Sequence, residues 1–304
     1  MKLVNYRLLY DFAEERIGLF WKDCIVDVAS AYKEYQKTIN APSIYTLPSN
    51  PTAFFAQANV HIELLMNAYK YIQANTVKAT YKMEDVRLST PVPNPSKIIC
   101  VGVNYADHVK EMGSEISPFP VLFSKFNNAL IGPEDDIHKS SLTEKLDYEV
   151  ELALVIGKKA SKVNESEALD YIAGYTIAND SSARDLQKRT VQWLQGKSLD
   201  HSTPIGPWIV TKDELQNPSN LSIQSYVNGE LRQSSNTKHL IFTVPFLIRF
   251  ISELITLNPG DIILTGTPDG VGMGMNPQSF LEDGDIVKVE IEHIGAMQNK
   301  ISQQ

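Results

Sequence analysis

Leu146-Asp147-Tyr148-Glu149-Val150-Glu151-Leu152-Ala153-Leu154-Val155-Ile156-Gly157 reads as a β-strand with two unlike faces. Successive side chains on a strand point to opposite sides. Asp147, Glu149 and Glu151 therefore share one face, which Ala153 and Val155 continue. Tyr148, Val150, Leu152, Leu154 and Ile156 form the other, and this apolar face places the strand against a core. Carboxylates spaced by two on one face repel, and burying them unpaired costs several kcal/mol. A divalent cation removes that cost. Glu149 and Glu151 supply hard oxygens suited to Mg²⁺ or Mn²⁺, and one more acid would complete the protein's share. The competing arrangement is an antiparallel strand whose acids face water.

A third ligand is offered by Asp180, at the end of the apolar run Gly174-Tyr175-Thr176-Ile177-Ala178-Asn179-Asp180. The next segment, Ser181-Ser182-Ala183-Arg184-Asp185-Leu186-Gln187, puts Arg184 and Gln187 three apart, on one helix face. Arginine is suited to clamp a substrate carboxylate with two parallel hydrogen bonds; a salt bridge to Asp185 or another acid is the alternative. In Val101-Gly102-Val103-Asn104-Tyr105-Ala106-Asp107-His108-Val109-Lys110-Glu111-Met112-Gly113, an apolar strand runs into a short helix ended by glycine. His108 and Glu111 are again three apart and can touch. A glutamate orienting a histidine is an acid–base pair suited to neutral pH; a solvated polar helix face would show the same spacing. The glycine-rich Leu264-Thr265-Gly266-Thr267-Pro268-Asp269-Gly270-Val271-Gly272-Met273-Gly274 is not a dinucleotide fingerprint, because Asn276-Pro277 follows where a helix N-terminus is required. Its glycines are expected to let backbone approach a small ligand.

Two parts are expected along the chain. In residues 1–90, Lys2–Leu8 and Arg16–Val28 read as strands. Thr52–Ala74 carries Phe54, Phe55, Ala58, Ile62, Leu65, Met66, Ala68 and Tyr69 at helical spacings. Thr90-Pro91-Val92-Pro93-Asn94-Pro95 then interrupts both kinds of element. Residues 91–304 read as short strands broken by turns: Ile98–Val103, Leu146–Ile156, Tyr171–Ala178, a hairpin at Asn228-Gly229, and strand starts after Pro259-Gly260 and Asp283-Gly284. Asn164 with Glu167 three residues later has the spacing of a helix capping box. The fold class expected is α+β: a mainly-β roll preceded by a small α/β domain.

The 304 residues carry 28 basic and 36 acidic side chains, a formal charge of −8. No run of Lys or Arg offsets it, which argues against nucleic acid or an anionic membrane as partner. Cys24 and Cys100 are the only cysteines, expected as buried free thiols. No stretch approaches the ~18 apolar residues of a membrane span, and the N-terminal sequence lacks a signal-peptide pattern. A cytoplasmic location is the expectation.

From about Lys97 to Ile301 the chain resembles the fumarylacetoacetate hydrolase family. The matching pieces, in order, are Gly102-Val103-Asn104-Tyr105 with His108, Asp147 to Leu152, Gly174-Tyr175-Thr176 through Asp180, and Ser182-Ala183-Arg184-Asp185 with Gln187. There follow Gly196-Lys197-Ser198 with Asp200, Gly206-Pro207-Trp208, Val227-Asn228-Gly229-Glu230, Pro259-Gly260-Asp261 and Thr265-Gly266-Thr267-Pro268 with Gly270-Val271-Gly272. Residues before Thr90 resemble the N-terminal extension of two-domain bacterial members. One departure is Phe126 after Phe123-Ser124-Lys125, where many members carry proline.

The resemblance implies a mixed β-roll, a homodimer, and one Mg²⁺ or Mn²⁺ held by Glu149, Glu151 and Asp180, with no organic cofactor. It implies a catalytic dyad of His108 and Glu111 on a mobile segment, and Lys197 beside the metal. Arg184, Gln187, Thr267 and Tyr105 would contact a small anionic 2-oxo acid. Such an acid chelates the cation, which stabilises an enolate. Hydrolysis of an acylpyruvate or decarboxylation of oxaloacetate is the favoured expectation. Isomerisation of a hydroxymuconate- or heptadienedioate-type diacid is the alternative, and a non-catalytic acid-binding protein is the rival of another class.

Overall fold

The structure, a computed structural model, describes residues 1–40 and 45–304. Val150–Ile156 is buried along its whole length. It pairs antiparallel with Ile172–Asn179 on one side and Ile262–Leu264 on the other. The sheet extends past Ile262–Leu264 through Ile98–Gly102, a parallel neighbour, to Val121–Lys125. In the other direction it runs through Thr203–Thr211, Lys2–Leu8, Asp11–Trp21 and Cys24–Asp27 to Thr80–Lys82, giving 12 strands with two side branches. A second, five-stranded sheet is ordered Glu230–Asn236, Ser222–Val227, Ile286–Ile291, Gly295–Gln303, Ile137–Lys139.

The alternation of the central strand explains the layering. Val150, Leu152, Leu154 and Ile156 pack with Ile223, Val287, Val289 and Ile291 of the five-stranded sheet and with Leu247, Ile248 and Ile251 of the helix Val244–Leu254. Ala153 and Val155 pack on the opposite side, with Phe54, Phe55, Leu65, Ala68 and Ile72 of the helices Pro51–Phe55 and Ala58–Ala74. Both faces of the large sheet are thus covered, and the fold is mainly β with mixed sheets and an α/β N-terminal part. Residues 1–90 and 91–304 share this sheet: Lys2 lies opposite Val210, and Leu3 opposite Ile209.

Several elements differ from expectation. Arg16–Val28 is not one strand. Lys22 and Asp23 adopt φ of 50° and 58°, and this two-residue turn folds Asp11–Trp21 onto Cys24–Asp27 as a hairpin. Thr52–Ala74 is two helices, interrupted at Ala56 and Gln57. The segment after Asn164 is a 3₁₀ helix, Glu165–Tyr171, whose cap residue makes no side-chain bond to a backbone N–H. The asparagine instead donates to the Glu167 carboxylate at 3.4 Å. Leu146–Ile156 breaks at Tyr148 and Glu149 into Leu146–Asp147 and Val150–Ile156. Cys100 is buried as expected, whereas Cys24 is half-buried because it closes the hairpin turn; both are free thiols. Among the described residues no helix is long and apolar enough to cross a membrane.

Candidate active site

The break before Val150 lies where the carboxylates converge. Glu149 and Glu151 are 4% and 2% exposed and Asp180 is fully buried, so the water-facing arrangement does not occur. Strand register brings them together. Val150 lies opposite Asn179, which sets Asp180 beside Glu149. The Asp180 N–H donates to the Glu149 carbonyl at 2.8 Å, and the Glu149 N–H donates to the Asn179 side chain at 2.9 Å. One oxygen from each of Glu149, Glu151 and Asp180 lies within 4.8 Å of the other two.

Two of the three acids are matched by cations. Lys197 Nζ is 2.6 Å from both Glu149 Oε2 and Asp180 Oδ2. Lys125, equally buried, reaches Asp180 Oδ1 at 2.7 Å. Arg184 Nη1 is 2.6 Å from Glu149 Oε1, and its Nε is 2.8 Å from Asp147 Oδ2. Burial pushes the Glu149 carboxyl up, but Lys197 and Arg184 outweigh it and hold it far below the usual carboxylate range. Glu151 has no cationic partner among the described residues. Burial, and then the charges of Asp180 and Glu149, push its carboxyl well above that range. A buried acid that is charged only with difficulty, beside two carboxylates with convergent oxygens, fits a hard divalent cation. In that role Glu149, Glu151 and Asp180 would be the ligands.

The acid–base pair is formed. His108 Nδ1 lies 2.9 Å from Glu111 Oε2 on the helix Ala106–Glu111, which Gly113 ends at φ 62°. Glu111 Oε1 accepts the Gly270 N–H at 2.9 Å. The glycine-rich loop therefore approaches the chain's own acids: the Gly266 N–H donates to Glu151, and the Gly272 and Met273 N–H groups donate to Asp147. The loop itself ends in a short 3₁₀ turn, Gly272–Gly274, and among the described residues no α-helix follows it.

Arg184 and Gln187 are joined at 3.1 Å on the helix Arg184–Gln187; Arg184 pairs with Asp147 and Glu149, not with Asp185. Thr267 Oγ1 donates to the Val150 carbonyl and accepts from Gln233. Tyr105 stands outside this network of contacts, its hydroxyl without a hydrogen-bond partner. Its side chain is buried in the core behind the site and does not line the cavity, because it ends the strand-to-helix link on the core side. Lys125 was not singled out from sequence as a site residue. Its signal is its place in Val121–Lys125, on the same strand face as Val121 and Phe123.

His108, Glu149, Glu151, Arg184, Gln187, Lys197 and Thr267 all line one cavity of about 220 Å³. Fold and site together define a β-roll protein with an acid-rich, buried centre beside a small cavity. Residues 97–302 match the family model described as fumarylacetoacetate (FAA) hydrolase C-terminal, and the chain belongs to that family. It is 48% identical over 226 residues to the oxaloacetate tautomerase YisK of Bacillus subtilis (strain 168), covering 73% of this chain and 75% of that protein. Among solved structures it resembles 5-carboxymethyl-2-hydroxymuconate delta-isomerase from Mycobacterium smegmatis, at TM-score 0.75 and 31% identity over 100% of both chains. It also resembles maleylpyruvate hydrolase from Sphingobium sp. SYK-6 in complex with manganese (II) ion and pyruvate. There the TM-score is 0.77 and the identity 30%, over 100% of this chain and 99% of that one.

Proposed function

We propose that the protein is a Mg²⁺- or Mn²⁺-dependent enzyme that interconverts the keto and enol forms of a short 2-oxo diacid of the oxaloacetate class. The observation that carries this is that His108, held by Glu111, lines the same cavity as Glu149 and Glu151, whose oxygens converge with one of Asp180. That cavity, about 220 Å³, is below the ~300–1,000 Å³ of typical ligand pockets and suits an acid of few carbons. The oxaloacetate tautomerase relative supports the substrate class, and the manganese-bound neighbour supports the cation.

A cation held by the triad would supply Lewis acidity to the 2-oxo group. The chain's own residues do the rest. Glu111 engages His108 Nδ1, which fixes the ring and leaves Nε2 to take the proton from the carbon beside the carbonyl and to return it. Arg184 Nη2 is buried without a hydrogen-bond partner, so it is a donor available to the substrate carboxylate. Lys197 compensates the charge of Glu149 and Asp180 beside the reacting oxygens. Gln187 and Thr267 complete the polar wall.

The same dyad favours a second reading. With an acylpyruvate it would deliver water to the distal carbonyl, breaking the C–C bond, and the hydrolase neighbour supports this. Oxaloacetate decarboxylation would reach an enolate without water. The test follows the oxaloacetate enol by ultraviolet absorbance and pyruvate release in parallel, with and without chelator. Acetylpyruvate and a hydroxymuconate-type diacid run beside it. Enol consumption that outpaces pyruvate release, needs Mg²⁺ or Mn²⁺, and falls roughly 10²–10⁴-fold in His108→Ala is expected. Full turnover in cation-free protein overturns the proposal.

A further inference from the structure

We propose that Lys188 determines specificity for dicarboxylic over monocarboxylic substrates by pairing with the carboxylate remote from the 2-oxo group. The inference deepens the function proposed above and rests on it for the orientation of the substrate. Of the basic side chains lining the cavity, Lys197 is held by Glu149 and Asp180, Arg184 by Asp147 and Glu149, and His108 by Glu111. Lys188 also lines the cavity, is exposed, and has no acidic partner among the described residues. It follows the helix Arg184–Gln187, and its N–H donates to the Arg184 carbonyl at 3.1 Å. Residues four apart on a helix stand on one side with β-carbons about 5–6 Å apart. The short helix thus carries a buried guanidinium with one unpartnered nitrogen and, four residues on, an exposed lysine, both lining the cavity.

Charge balance points the same way. Four buried carboxylates, Asp147, Glu149, Glu151 and Asp180, face three buried cations, Lys125, Arg184 and Lys197. A divalent cation would turn the resulting single negative charge into a single positive one. A second carboxylate on the substrate adds one more negative charge to the site, and Lys188 is the cation at hand to meet it. The lining otherwise offers the apolar Met112, Phe123, Trp193 and Met273 and the neutral hydroxyl of Ser114, so Lys188 is the one cation there without an acidic partner among the described residues.

The test uses two acids that share a 2-hydroxy acid head and a four-carbon chain and differ only in the far group: malate, and 2-hydroxybutanoate with a methyl there. Binding of each to the full-length Mg²⁺-loaded protein is measured by calorimetry. The wild type is expected to bind malate at least about tenfold more tightly, the worth of one charge-assisted hydrogen bond. Lys188→Met should erase that margin and leave 2-hydroxybutanoate affinity unchanged, and Lys188→Arg should keep it. An unchanged malate preference in Lys188→Met, equal loss of both ligands, or no preference or no binding in the wild type each overturns the inference. Neither acid has a keto group. Failure of oxaloacetate turnover therefore rejects the proposed function while leaving this result to stand or fall by itself.

Discussion

Each carboxylate of the triad meets a different electrostatic environment. Glu149 has Lys197 and Arg184, Asp180 has Lys197 and Lys125, and Glu151, among the described residues, has only the Gly266 N–H. The pH dependence follows with opposite signs. The depressed Glu149 contributes stability that is present above its unfolded-state value and is lost as pH falls through its folded one. The raised Glu151 keeps its proton more tightly when folded, so the cation-free protein loses stability as pH rises above the ordinary carboxylate range. The rise in unfolding temperature on adding Mg²⁺ should therefore grow with pH. Glu151→Gln should flatten that growth, weaken Mg²⁺ binding at least ~100-fold, and leave the cation-free protein no less stable, since the amide cannot ionise where burial makes a charge costly. Calorimetry and thermal unfolding across pH check all three. At this scale the closeness of Glu149 and Glu151 was legible from their spacing of two, although the strand begins only at Val150, and Asp180 joins them through the register that sets Val150 opposite Asn179. Lys125 was not legible, since only the fold shows that its strand delivers it to Asp180.

Elements with local causes matched their sequence signals best. Asn228 and Gly229 take φ of 51° and 82° and join Ser222–Val227 to Glu230–Asn236, as an Asn-Gly turn requires. The turn at Lys22 and Asp23 escaped notice because those residues reach positive φ without the glycine that usually announces it. The glycine-rich loop holds a function that its pattern does not reveal. It braces Glu111, and a β-carbon at Gly274 would lie 2.3 Å from that carboxyl group. Glu111 cannot yield freely while it holds both His108 and the Gly270 N–H. Gly274→Ala should therefore lower kcat at least about tenfold, within the usual worth of an acid–base group, while Mg²⁺ affinity stays at the wild-type level. A parallel loss of Mg²⁺ binding would show that the loop holds the metal site as well as the dyad.

Across the whole molecule, the proline-rich segment leads one to expect a division after residue 90, but it says nothing of the packing across that point. Lys2–Leu8 finds Thr203–Thr211 some two hundred positions away, and no periodicity encodes such a pairing. That pairing matters to the site indirectly. Ala153 and Val155 continue the strand face that carries Glu151, and they are covered by Phe54, Phe55 and the helix Ala58–Ala74. Removing residues 1–90 would bare those side chains together with Ile205, Ile209, Ile262 and Leu264, and would leave Thr203–Thr211 paired only with Ile172–Asn179 on its antiparallel side, an exposed edge. Residues 91–304 alone are therefore expected to aggregate or to lack cooperative unfolding. Phe54→Ala, which opens a cavity in the same cluster, should cost about 3–5 kcal/mol in the intact chain yet leave Mg²⁺ affinity unchanged. Circular dichroism and denaturant titration decide between these outcomes and their opposite. A truncated chain that unfolds cooperatively with native-like midpoint would mean that the large sheet is two independent halves meeting at one edge.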